Sequence, residues 1–224
     1  TLDRSSAASD VYKRQVFDQL SDAARAFLLA TSPLRKMNAS LCDVVLGQSN
    51  SAELLEEIER RNLFLIPLDK RRQWFRYHHL LSDFLLQEFH RTKPDGPKQI
   101  RDVAAQWCES HGMLTDAIQY LLDAESFDDA AELINTNVSS IALEDGDHST
   151  VLDWMRRLPP SIHDNSPQLL LNHAWSRAFS RDVDKARALC DRAMELLNDE
   201  SFAPEMAEEL SLIHISEPTR PLYI

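Results

Sequence analysis

Between Val16 and Glu209 apolar residues recur every three or four positions, and this spacing predicts a run of amphipathic helices interrupted once by a different period. The stretch Ser21-Asp-Ala-Ala-Arg-Ala-Phe-Leu-Leu-Ala opens on a capping residue and places Ala24, Phe27 and Leu28 on one face. A second helix fits Ser40 to Gly47, with Gly47 suited to a left-handed stop. A third, Ser51 to Arg61, turns Leu54, Leu55 and Ile58 inward and its glutamates outward. The period then changes. Asn62-Leu-Phe-Leu-Ile-Pro-Leu reads as a buried strand, Asp69 to Arg72 as a turn, Gln73 to Tyr77 as the returning strand, and His78 to Phe89 as another helix. Pro67 cannot donate to a ladder, so it belongs at an unpaired edge.

Three helices, a hairpin and a fourth helix predict a winged-helix subdomain over residues 16–92. Lys93-Pro-Asp-Gly-Pro, residues 93–97, reads as a linker. Beyond it, over residues 98–209, one pattern recurs: Gly112 to Ala117, Glu125 to Ala130 and Arg181 to Ala186. Each puts a hydrophobe before a cap, at Thr115, Asp128 or Asp184, and an alanine two residues after it. Ile100, Val103, Ala104 and Trp107 form one stripe; Ile118, Leu121 and Leu122 form the facing one. Such pairs predict TPR-like α-α superhelical repeats. The fold class expected is mainly α: a winged helix with one β-hairpin, followed by these repeats.

Several strings match a known family in sequence order: Phe27-Leu-Leu-Ala-Thr-Ser, Leu41-Cys-Asp-Val-Val, Leu54 to Asp69, and Trp74-Phe-Arg-Tyr-His-His-Leu-Leu-Ser-Asp-Phe-Leu. On these the chain resembles the MalT-like, LuxR-type ATP-dependent (STAND) transcriptional regulators. The resemblance implies a P-loop ATPase module upstream, a winged helix that closes it, a helical sensor, and a helix-turn-helix further on. It implies ATP or ADP as the cofactor of the full-length protein, with none bound by these parts alone. The partners it implies are the ATPase module in cis, a small-molecule inducer or regulatory protein on the repeats, DNA through the helix-turn-helix, and self-association on activation. The compartment it implies is cytoplasmic. No GxxxxGK[ST] occurs here, so this segment is expected to have no ATPase activity of its own. In the family a glycine is usual where Arg181 stands, so Arg181 must accept a left-handed backbone or the turn must differ.

Arg76-Tyr77-His78-His79-Leu80 is the most chemical stretch. It is similar to the Met-His-Asp motif of related signalling ATPases, which implies that His78 contacts the phosphate of bound ADP, with Arg76 a subsidiary contact; His79 replaces the usual acid. The residues alone leave two readings. An imidazole N–H beside a helix start can donate to a phosphate oxygen, or His78 can simply cap the helix or pack beneath the wing. Adjacent His78 and His79 diverge on a helix and have no third ligand at suitable spacing, which argues against a metal.

Charge and composition narrow the function further. The formal net charge of −12 repels phosphate backbones, so Lys70, Arg71, Arg72 and Arg76 read as a solvated wing tip or an ATPase contact, not a DNA-binding face. Cys42, Cys108 and Cys190 stand far apart and read as small buried hydrophobes in a reducing compartment. Trp107, Trp154 and Trp175 read as repeat core, and the acidic runs from Asp123 to Asp129 and Glu144 to Asp147 as solvated turns. His111, His148, His163 and His173 share no ligand spacing. No nucleophile elbow or HExxH points to a hydrolase. The competing reading is a plain protein-interaction scaffold without nucleotide.

The two ends read as adapter-derived tails, residues 1–15 and 210–224. Written with the codons GAT GTG TAT AAG AGA CAG, Asp10 to Gln15 give an opposite strand that encodes Leu210-Ser-Leu-Ile-His-Ile. Folding chemistry has no use for such a relation, so both tails are set aside from the fold.

Overall fold

The computed structural model describes residues 17, 20–61, 65–139 and 147–198. Both expected tails, Asn62 to Phe64 of the expected strand and Glu144 to Gly146 of the second acidic run lie outside the described residues. The contacts divide the chain into two compact units, one reaching Asn137 and one beginning at Val138.

The first unit begins with three helices: α1 (Asp22–Thr31), α2 (Ala39–Leu46) and α3 (Ser51–Arg60). Their ends follow from local chemistry. The Ser21 hydroxyl accepts from the Ala24 N–H at 3.2 Å, and the Asn38 side chain accepts from the Leu41 N–H at 2.8 Å. Gly47 closes α2 at φ 64°. Ala24, Phe27 and Leu28 are buried as the spacing required, together with Leu55 and Ile58 from α3.

The hairpin consists of β1 (Leu65–Pro67) and β2 (Phe75–Tyr77), antiparallel, with Leu65 opposite Tyr77 and Pro67 opposite Phe75. β2 is the inner strand, because Met37 exchanges two backbone bonds of 2.8 Å with Phe75 on its other side. That arrangement corrects the expectation of a buried first strand: Leu65 and Ile66 are half-buried, and Pro67 and Leu68 are exposed. The Leu68 N–H bonds the Trp74 carbonyl, so the alternate position, Pro67, turns its nitrogen to the outer edge where no donor is needed.

Helix α4 (His79–Thr92) buries Leu81, Leu85 and Phe89, and α5 (Gly96–Ser110) begins after only three intervening residues. The expected linker is therefore a tight turn. Gly96 is required there, since a Cβ would stand 2.7 Å from Cζ of the Phe89 ring. Residues 93–97 do not separate two compact units: α5 packs on α1, α2 and α4, and the first unit runs on through α6 (Leu114–Asp123) into α7 (Phe127–Ser139).

The second unit holds α8 (His148–Arg157), the short α9 (Pro160–His163), α10 (Pro167–Phe179) and α11 (Val183–Asn198). Trp154, Val151, Leu169 and Leu170 form its centre. Asp147 is not a solvated turn residue but the cap of α8. The Thr150 and Ser149 hydroxyls and the Thr150 N–H donate to its carboxylate and hold it below the usual carboxylate range.

The recurring sequence pattern corresponds to one backbone device. Gly112, Glu125 and Arg181 all adopt positive φ, at 71°, 58° and 63°. In each case that residue's N–H bonds the carbonyl three residues back, and the next N–H bonds the carbonyl five back: Met113 to Cys108, Ser126 to Leu121, Asp182 to Arg177. The caps of the following helices are thus Met113, Ser126 and Asp182, two residues earlier than Thr115, Asp128 and Asp184. The left-handed residue reverses the chain sooner than a side-chain cap would. Ala117, Ala130 and Ala186 make the first helical bond to each cap, and all three are buried.

Arg181 therefore accepts the left-handed backbone. An L side chain there costs about 1 kcal/mol, and a Cβ at Gly112 would meet nothing within 4 Å, so the cost at that turn is purely conformational. In urea unfolding, Gly112→Ala should lower stability by about 1 kcal/mol, while Arg181→Gly should raise it by up to about the same amount.

Candidate functional site

His78 stands at the junction of the inner strand and α4, and its backbone at φ −62°, ψ 137° makes it the N-cap. Its carbonyl accepts from the Leu81 and Ser82 N–H groups, and its ring Nδ1 accepts from the Leu80 N–H at 3.4 Å. With Nδ1 an acceptor, the neutral ring carries its proton on Nε2. The inner nitrogen thus caps the helix, which is the capping reading of His78, and the ring proton sits on the outer one. The ring is half-buried, and its centroid lies 4.3 Å from that of exposed His79.

The strand sets the position of this ring. Phe75 and Tyr77 point into the core and Arg76 points out, exposed. The buried Tyr77 hydroxyl donates at 2.7 Å to the Thr31 hydroxyl, which donates at 2.7 Å to the Phe27 carbonyl. Burial pushes the Tyr77 phenol far above its ordinary pKa, so it stays a neutral donor. The residue next to His78 is thereby tied to α1. Arg76 and His78 are neighbours on this face, but Arg76 lies on the strand and His78 on the cap. Lys70 and Arg71 are exposed at the wing tip; Arg72, at φ 55°, is held toward α3 by Glu59 at 3.4 Å.

A second constellation escaped the sequence reading. The connection between α1 and α2 is gripped by α6. The Arg35 N–H donates to the Tyr120 hydroxyl at 3.0 Å, and that hydroxyl donates to the Lys36 carbonyl at 3.2 Å. The Arg35 guanidinium meets Asp123 through two bonds of 2.7 and 3.1 Å, and the Lys36 ammonium meets Asp116 at 2.7 Å. Lys36 also lies 5.2 Å over the Trp74 ring, which contacts Trp107 of α5 edge-on at 6.2 Å. Asp123 is thus an ion-pair partner and not a solvated turn residue. Individually those half-exposed ion pairs contribute about 1 kcal/mol or less. Tyr120, 1% exposed, outweighs them, because it is buried apolar surface that also satisfies two backbone groups.

Beside this grip, α5, α6 and α7 enclose a groove of about 590 Å³ lined by Asp102, Glu109, Leu114, Leu121, Glu132 and Asn137 among others. Of the expected core tryptophans, Trp107 and Trp154 are buried and Trp175 is half-buried. Cys42 and Cys108 are buried, and burial pushes their thiols up to about 12 and about 11. Among the described residues no group of three His, Cys, Asp or Glu could hold a metal ion, and no helix is long and apolar enough to cross a membrane.

Fold and site together define a winged-helix unit continued by helical repeats. Residues 13–97 match the family model of the MalT winged helix domain. The "HTH-type transcriptional regulator MalT" of Yersinia pestis (strain Pestoides F) is 29% identical over 196 residues, covering 88% of this chain and 22% of the relative. The protein of the same name from Yersinia pseudotuberculosis serotype O:1b (strain IP 31758) gives the same figures. Residues 13–97 form a winged helix of the MalT type, helical repeats follow it, and the chain is similar to the MalT regulators over most of its own length while spanning about a fifth of the length of those curated relatives.

The grip yields a direct expectation. Tyr120→Phe leaves an amide and a carbonyl without their partner and should cost about 1–3 kcal/mol in urea unfolding. Asp123→Asn should cost about 1 kcal/mol or less.

Proposed function

We propose that this chain is the regulatory middle of an ATP-dependent, signal-responsive transcription activator. In this reading residues 16–92 restrain a nucleotide switch, residues from 98 onward form the start of a TPR-like sensor, and the ATP-hydrolysing and DNA-reading parts belong to other segments of the full-length protein. His78 contacts the ADP phosphate through Nε2, with Arg76 beside it, and stabilises the resting form. An inducer or regulatory protein binds the repeats, for which the groove among α5, α6 and α7 offers a concave polar surface. The working compartment in this reading is the cytoplasm, and activation is by self-association.

The observation that carries the reading is the grip of α6 on Arg35 and Lys36. It joins the element holding His78 and the first repeat into one compact unit, so a ligand on the repeats has a physical route to the switch. Such a ligand acts only by binding the open and closed forms unequally.

In the full-length protein, His78→Ala should speed ADP release and raise basal transcription, read by nucleotide retention and a reporter. Unchanged retention together with unchanged basal output would remove the sensor role. Tyr120→Phe should instead leave ADP retention close to wild type while reducing the response of the reporter to inducer.

A further inference from the structure

His163 and His173 are ten residues apart in sequence, on α9 and α10, yet their rings meet with Nε2 of His163 2.9 Å from Nδ1 of His173. The charged neighbours dictate which atom donates. Arg177, one turn along α10, presents its Nε–H to Nε2 of His173 at 3.1 Å. A guanidinium keeps its protons, so Nε2 of His173 must accept and its neutral ring carries the proton on Nδ1. That N–H donates to Nε2 of His163, whose own proton then sits on Nδ1 and donates to Asp164 at 2.6 Å. The result is a one-way chain from Arg177 through both imidazoles to Asp164.

Such a chain has no room for an added proton. On His173 the proton would enter at Nε2 and face the Arg177 N–H; on His163 it would enter at Nε2 and face the His173 N–H. Either way one link must open. His163 is 8% exposed, so an opened link leaves a buried polar atom facing no partner.

We propose that His163 and His173 form a proton-operated latch that holds α9 against α10 when neutral and releases it on acidification. Among the described residues Asp164, at the end of α9, is the acid bonded to the latch, and its side chain is half-exposed. Arg177 faces it from α10. Asp182 and Lys185, at the start of α11, act through Arg177: Asp182 lies 3.4 Å from Arg177 and 2.9 Å from Lys185. Burial first, then His163 and Arg177, pull the His173 ring down from the ordinary 6.5 to about 4, against the smaller upward pull of Asp164. A ring whose folded pKa is depressed contributes stability that is complete above its ordinary value and is lost as the pH falls from about 6.5 toward 4.

Two measurements on the whole chain test the latch. Nitrogen-15 NMR of the side chains at pH 7 should show both His163 and His173 as neutral rings protonated on Nδ1. Amide exchange over residues 160–179, corrected for intrinsic rates, should show at least a tenfold rise in opening from pH 7 to pH 5. Arg177→Met, which removes the blocking N–H, should move the midpoint of that rise toward neutral pH, and His173→Phe should flatten it. Nε2-protonated rings, or exchange identical at the two pH values in the wild-type chain, would overturn the proposal whether or not the variants fold.

Discussion

The peptide segment at Arg35 and Lys36 joins two helices and has no helix or strand of its own to satisfy its backbone. Tyr120, 85 positions further along, supplies that partner from α6. Its ring is buried, and its hydroxyl accepts from one backbone N–H and donates its own proton to a backbone carbonyl. The rest of the first unit depends on this contact. Without it, α6 would meet the α1–α2 connection through half-exposed ion pairs alone, and only α5 would pack the first helical pair on the winged helix. Those flanking contacts orient the interface and resist wrong registers more than they stabilise it.

A second tie runs from the wing to α1. Tyr77, Thr31 and the Phe27 carbonyl form a buried chain of hydrogen bonds that sets the residue before His78. A polar chain of this kind contributes little net free energy when complete and is costly to leave half-made. It therefore specifies position more than it adds stability. The histidine that follows is placed at the end of a strand and at the start of a helix, not within a loop. The two ties share one unit, and in the proposed function this is the route from repeats to switch.

Local features were readable before any coordinates. The Ser21 cap, the Gly47 stop, the inward faces of α1 and α3 and the helix start at His78 and His79 all depend on residues within one or two turns. The pattern shared by Gly112, Glu125 and Arg181 was also visible, although its backbone meaning was displaced by two residues. A left-handed residue can be glycine, glutamate or arginine when the two reversed hydrogen bonds outweigh its strain, so residue identity alone does not mark it. The first strand was misread as buried because an apolar run looks the same whether it lies at an edge or in the middle of a sheet.

By itself, then, the order of residues determined the helices of the winged part, the Ser21 cap and the Gly47 stop, the hairpin and the candidate histidine, since these arise from interactions among near neighbours. Tertiary structure alone decided that β1 is the outer strand, that Tyr120 and Asp123 grip the α1–α2 connection, that residues 93–97 close into a tight turn, and that His163 meets His173. These contacts join positions whose separation along the chain carries no period. They exist because burying large apolar faces brings distant backbone and side-chain polar groups together, and each such group must then find a partner away from water.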